Sequence, residues 1–488
     1  MPPFAPISVY GQEFGNPWIS RRRHPFNDAR SHKVWAMLTE SIACKQKTAI
    51  QQVAESTSQA DQMYHFYNNP RVTHAELIKM NCSVKPEFLS GRHVLVIGDS
   101  TSFNLSKHKN RIQDPESIGV LNDGKTLGFH SHVNIVVDAV SEGVLGLADI
   151  LYWARWEARK KQALTTDERS WQEKESYRWA MAATNAKAML QAAERVTFLF
   201  DREADDFDLF KHLIFQESSD FIIRSNQNRK FRWEGKVLKV NNFHAQFEAA
   251  GTYELNVPEL DHYSWTSGKR IKRQARTATM EIRYQAVDLL APSGYPKAEP
   301  SIPLCLVEAR ETTEQLPEGE KPIIWRLWTT HKVENAEQAY LIVYYYTLRW
   351  IIEQLFRTIK KQGFDIEDTQ LETFDAILRQ TTMAIKAACT VLQLTYARNR
   401  LDCQPTDEVF DQQEQQVLQR VNERLQGKTE KQKNPFPQHR LSWAAWIIAR
   451  LGGWKGYQSQ KPPGPITMKK GLEKFAVYME AFKVLNSS

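Results

Sequence analysis

Long apolar runs are missing from this 488-residue chain. None approaches the ~20 residues that a bilayer span requires, which excludes a helical membrane protein. The opening segment, MPPFAPISVYGQEFGNPWISRRRH, has no signal-peptide apolar core, so a cytoplasmic protein is expected. Cysteine is scarce. Cys44, Cys82, Cys305, Cys389 and Cys403 are scattered and form no CxxC pair. That argues against a disulfide framework and a cysteine zinc site, and for reduced thiols. No internal repeat is visible.

The remaining composition is that of a soluble globular protein, 42% hydrophobic and 25% charged, long enough for two to four domains. Net charge is +7. Basic residues gather at Arg21 to Arg23, Arg155 to Lys161, Lys269 to Arg276 and Arg357 to Lys361. Clusters spread over the whole chain point to a long polyanion, against the alternative of separate solvated faces. Several of the 14 tryptophans sit beside cations, as in WARWEARKK, SYRW and IIWRLW, a pattern suited to stacking on unpaired bases.

Residues 339–362, AYLIVYYYTLRWIIEQLFRTIKKQ, read as one helix. Tyr346, Arg349, Glu353 and Lys360 fall at relative positions 0, 3, 7 and 14. At about 100° per residue they share one stripe roughly 60° wide. Such groups in an apolar segment cost desolvation energy unless they meet a charged partner. Two apolar runs upstream end in acids, HVLVIGD at Asp99 and VTFLFD at Asp201. Three acids from three elements suit a pair of divalent metals, and flanking cations suit phosphate, the makings of a nuclease or strand-transfer centre. Singly, each acid has a plainer reading. Glu353 could pair with Arg349 or Arg357, and each aspartate could cap the turn or helix after its strand. Asp205 or Asp206 competes for the cap before FDLFKHLIF, and Asp138 reads as structural.

The pattern along the chain predicts an α/β protein. Residues 1–85 read as a small helical DNA-binding domain, and 86–214 as strands followed by a helix over about 171–195. Residues 215–332 are β-rich, with turns at Asn, Gly and Pro. Helix returns at Asn335 for 333–400, and 401–488 combine a charged linker with two C-terminal helices. Trp443, Trp446, Ile447, Phe475 and Tyr478 exceed what two short helices bury alone, so those helices are expected to dimerise.

With these residues in place the chain resembles, over essentially its whole length, a bacterial cut-and-paste transposase of the DDE class, the Tn-five type of the IS-four group. The Tyr-x2-Arg-x3-Glu-x6-Lys signature falls on Tyr346, Arg349, Glu353 and Lys360. DREADD, EKESYRW, GDSTS, YHFYNNP and ARLGG match as well, while the family's N-terminal basic run is thinned to Arg30 and Lys33. The resemblance implies an RNase H-like core interrupted by a β-strand insertion, with Asp99, Asp201 and Glu353 binding two Mg2+ ions, Mn2+ serving as substitute. It implies DNA contacts from Tyr346, Arg349, Lys360, Arg357, Arg224, Arg30 and the KRIKRQAR loop (Lys269, Arg270, Lys272, Arg273). Trp325 matches the residue that stacks on a flipped base, with a core strand tryptophan as the competing reading. The implied activity is cleavage of transposon ends through a DNA hairpin and joining to target DNA, by a homodimer in a synaptic complex. Two rivals are a DNA-binding regulator with a non-catalytic fold and a plain RNase H-like nuclease.

Overall fold

β-branched and aromatic runs bounded by turn residues generate the strands, and capped amphipathic segments the helices. The computed structural model describes residues 26, 28–82, 84–155, 170–264, 269–295, 301–314, 316–361, 364–401, 403–457 and 460–486. Helices α1 (Ala29–Lys45), α2 (Ile50–Val53), α3 (Thr57–Asn68) and α4 (His74–Asn81) come first. Strand β1 (His93–Asn104), helix α5 (Pro115–Ile118), strands β2 (Gly128–Asp138) and β3 (Val144–Trp153), helix α6 (Arg178–Met189), strand β4 (Arg195–Phe200) and helix α7 (Phe207–Lys211) come next. The β-rich stretch holds β5 (Asp220–Arg224), β6 (Lys230–Trp233), β7 (Lys236–Lys239), α8 (Phe243–Gln246), β8 (Gly251–Val257) and β9 (Leu260–Ser264). It continues with β10 (Lys269–Arg273), β11 (Arg276–Leu290), β12 (Ser301–Glu311) and β13 (Ile324–Thr329). Helices α9 (Ala336–Thr347), α10 (Trp350–Lys361), α11 (Phe374–Ala397), α12 (Gln412–Leu425), α13 (Leu441–Leu451) and α14 (Pro465–Leu485) complete the chain. None of the described helices is long and apolar enough to cross a membrane.

Two compact units result, Met1–Val196 with Trp350–Ser488, and Thr197–Arg349. In the first, β1 pairs antiparallel with β2 and β2 with β3, and every residue of β2 and β3 is buried. Helix α6 packs on these strands, and α10 and α11 also cover them. In the second unit the strand order is β4-β5-β13-β12-β11-β6-β7, with β8 beside β11. The β4–β5 pair is parallel and the others are antiparallel, so this sheet is mixed. A mixed α/β protein of this kind is compatible with an RNase H-like core.

Four readings of the sequence need correction. The predicted helix over 339–362 is two helices, α9 and α10, with Leu348 and Arg349 in a turn between them. Leu348 donates to the Tyr345 carbonyl and Arg349 to that of Tyr346, three residues back, so the α-helical ladder tightens and stops there. The stripe from Tyr346 to Lys360 is therefore not one continuous helix face. Asp99 does not end its strand: Ser100 to Asn104 keep pairing with β2, and Asp99 sits mid-strand opposite Val133. The helix expected over 171–195 is two single 3-10 turns and then α6, which stops at Met189. Finally, the apolar surplus of the C-terminal helices is absorbed within the chain. Trp443, Trp446, Ile447 and Phe475 are buried against α11 and α12, with Tyr478 packed on them.

Candidate active site

In the first unit Asp99 is half-buried, and its Oδ1 accepts the Ser100 N–H at 2.7 Å. Ser100 points to the other face of the strand. There its Oγ hydrogen bonds with His132 Nδ1 at 3.0 Å and accepts from Arg178 Nε at 3.1 Å. The Arg178 guanidinium lies 5.3 Å from the rings of both Trp153 and Trp179, and its Nη1 donates to the Glu175 carbonyl. Burial works to raise the Glu175 carboxyl, but the hydrogen bonds and charge of Arg155, with Arg178, hold it below the ordinary value. His130, stacked on Trp153, is pushed down to about 4 by burial and by the charge of Arg155, so it is neutral at pH 7. Much of the EKESYRW segment thus braces the strand that carries Asp99.

Glu353 lies half-buried in the first turn of α10, where a carboxylate suits the helix dipole. That helix packs on β1. Two turns further on, Lys360 Nζ stands 5.3 Å from the ring centre of Phe103, a β1 residue on the same face as Asp99. Arg357 is exposed.

The second unit holds the other half of the predicted set. Asp201 directly follows β4 and caps a 3-10 turn, its Oδ1 accepting the Glu203 N–H at 2.8 Å. Tyr346 is buried near the end of α9. Burial raises its hydroxyl, Arg349 and Arg224 pull it back, and the Asp201 charge raises it further, so these four residues share one electrostatic neighbourhood. Trp325, half-buried on β13, meets Tyr346 edge-on with ring centres 6.3 Å apart, whereas Trp328 on the same strand is fully buried. Arg224, the last residue of β5, donates from Nη2 to the Ile324 carbonyl at 3.2 Å.

Asp205, four residues beyond Asp201, is not a cap. Its buried carboxylate accepts the N–H groups of Asn226 and Gln227 and the Arg229 Nε, locking the loop just after Arg224. Asp206 takes the cap of α7. In the first unit, Asp138 ends β2, pairs with Arg92 and accepts the N–H groups of Val140 and Ser141.

The outlying basic residues depart further from expectation. KRIKRQAR is no loop: residues 269–273 form strand β10, paired with β9, and Arg276 opens β11. Arg270 forks onto Asp261 at 2.6 and 2.8 Å, Arg273 donates to the Pro258 carbonyl, and Lys272 is exposed. The Lys269 side chain, Arg21 to Arg23 and residues 156–161 lie outside the described residues. Arg30 is exposed on the first turn of α1, capped by Asp28.

No group of three or more His, Cys, Asp or Glu side chains is arranged to hold a metal among the described residues. Asp99 and Glu353 belong to the first unit and Asp201 to the second. The donor chemistry, carboxylate oxygen throughout, suits a hard divalent cation.

Carboxylate, guanidinium, ammonium and phenol groups on a mixed α/β protein are side-chain types expected of the class of enzymes that act on phosphodiesters. Comparison with known families gives that class a name: residues 181–391 match the family model of the transposase DDE domain. The match takes in Asp201, Arg224, Trp325, Tyr346, Arg349, Glu353 and Lys360 but not Asp99, and it spans less than half of the chain. It supports a DDE transposase, an enzyme class that generally uses divalent metal ions and acts on DNA.

Proposed function

We propose that this chain is a cut-and-paste DNA transposase of the Tn-five type. It binds transposon ends, pairs them in a synaptic homodimer, cleaves them through a DNA hairpin and joins them to target DNA in the bacterial cytoplasm. The observation that carries the reading is the transposase DDE match, whose range, residues 181–391, includes Asp201, Arg349, Glu353 and Lys360.

Asp99, Asp201 and Glu353 are the proposed carboxylates. Two Mg2+ ions bound there would activate the attacking oxygen and stabilise the leaving one. Arg349, with Arg224, Tyr346 and Asp201 in its neighbourhood, grips a phosphate by its fork, and Lys360 adds a point charge. Trp325, partly open to solvent, stacks on the base displaced when the hairpin closes. An exposed face of α14 bearing Ile466, Val477 and Val484 supports pairing with a second copy.

The test is cleavage of the DNA flanking the coding gene. Asp99→Ala, Asp201→Ala and Glu353→Ala should each abolish Mg2+-dependent nicking and leave end binding nearly intact. Residual nicking in any one of them would remove that residue from the centre.

A further inference from the structure

The second unit keeps most of its arginines occupied. Arg229 is paired with Asp205, Arg276 with Glu311, Arg283 with Glu281, and Arg310 and Arg326 both with Glu308. The hairpin at the end of its sheet differs. Strands β6 and β7 are joined by Glu234 and Gly235, at φ 45° and 76°, the left-handed pair that a tight two-residue hairpin loop uses. Lys230 stands directly opposite Lys239, and Arg232 opposite Val237. Alternate residues share a side of a strand, as do opposed residues of a ladder, so all four lie on one face.

Every one of the four is exposed. Among the described residues no hydrogen bond or ion pair engages the side chains of Lys230, Arg232 or Lys239, although the register sets Asp288 of β11 opposite Arg232. Like charges directly opposed across a ladder are destabilising, and a face kept only for solubility would intersperse the two signs. The one acid in the hairpin, Glu234, is at the turn. Along β6 the cations are spaced by two residues, about 6.8 Å, and DNA presents a charge on each strand every ~3.4 Å of axis. Two cations at this pitch on β6, with Lys239 beside Lys230 and Asp288 as the one acid set opposite them, fit a line of phosphates.

We infer that the exposed face of the β6–β7 hairpin, through Lys230, Arg232 and Lys239, docks the phosphate backbone of duplex DNA. The identity of the polyanion rests on the transposase reading. Phosphate contacts position a protein and carry no sequence information, so the hairpin adds affinity to any duplex alike.

The experiment measures binding of the full chain to an end-sequence duplex and to a scrambled duplex over a salt series. Each phosphate contact contributes about 0.9 to the slope of log K against log salt. Replacing all three cations with alanine should reduce that slope by about 2 to 3 on both duplexes. Melting temperature should hold or rise, because the Lys230–Lys239 repulsion is gone. Lys239→Gln alone should lose about 1 from the slope, which keeps the test open if the triple variant misfolds. Lys230→Arg with Lys239→Arg should keep the original slope. A steep slope in the parent that is unchanged in both neutralised variants overturns this inference alone. A parent that binds neither duplex in a salt-dependent way takes the transposase reading down with it.

Discussion

In the second unit several buried acids come with arginine. Glu308, with no exposed surface, is held between Arg310 and Arg326, and Asp205 is held by Arg229. In the first unit at least three acids taken from water, Asp149, Glu408 and Glu414, have no arginine ion pair among the described residues. Among the described residues, Glu408 has both carboxylate oxygens buried without a hydrogen bond, and Asp149 is met by neutral groups, the Asn185 amide and the Ile150 N–H. The pairs in the second unit brace the loop and strand that carry Arg224 and Trp325. Burial instead raises Asp149 to about 7 and Glu408 to about 8, inside the working range of pH. Buried charge is thus braced by arginine at Asp205 and Glu308, as at Asp138 in the first unit, and left to titrate at Asp149 and Glu408.

The largest effect should come from breaking a brace. Arg229→Ala leaves Asp205 buried with two backbone N–H donors and no cation, which should cost about 3–5 kcal/mol in urea unfolding. Pairing Arg229→Leu with Asp205→Asn should cost less than Arg229→Ala alone, since it removes the charge along with its partner. Equal losses would mean that packing, and not charge, holds the loop.

Strand β13 sharpens the contrast between brace and surface within the second unit. Trp328→Ala empties a fully buried site and should cost about 3–5 kcal/mol of stability. Trp325→Ala should cost less stability and spare first-strand nicking. Hairpin yield should then drop by about 5- to 150-fold, the equivalent of a lost stacking contact of ~1–3 kcal/mol. Trp325→Phe should restore part of it. Nicking and hairpin yield falling together, with a lower melting temperature, would assign Trp325 to the core.

Local chemistry made much of this legible in the sequence. Asn335 caps α9 through its side chain, and VTFLFD is a strand whose acid comes directly after it, because short-range hydrogen bonding decides both. What failed was decided at long range. Asp99 reads as a strand end because STSFN is polar, yet the ladder to β2 carries it onward. Nothing in YYYTLRWIIEQ forbids helix, so the break at Leu348 and Arg349 is invisible to periodicity. The tryptophans of α13 look unpartnered because α11, which buries them, is some fifty residues away in sequence. Lys230, Arg232 and Lys239 form no run, and only the hairpin register gathers them.

The smallest effect concerns Glu408 and tests whether the first unit truly carries a titrating load. Burial, the leading cause, lifts its carboxyl from an ordinary 4.5 to about 8, with Arg92 pulling back and Asp407 pushing further. Between those values the folded protein binds a proton that the unfolded chain has released, so stability declines as pH rises. The contribution is complete below about 4.5 and lost as pH passes through about 8. Asp149 and Glu414 act in the same direction up to about 7, so the steepest share above that point belongs to Glu408. Glu408→Gln keeps the shape, cannot ionise, and should flatten the fall in melting temperature between pH 7 and pH 9. The variant should melt above the parent at the alkaline end and close to it at pH 5. Parallel curves would show that solvent or Arg92 reaches the carboxylate, and the contrast in buried charge would then rest on Asp149 and Glu414.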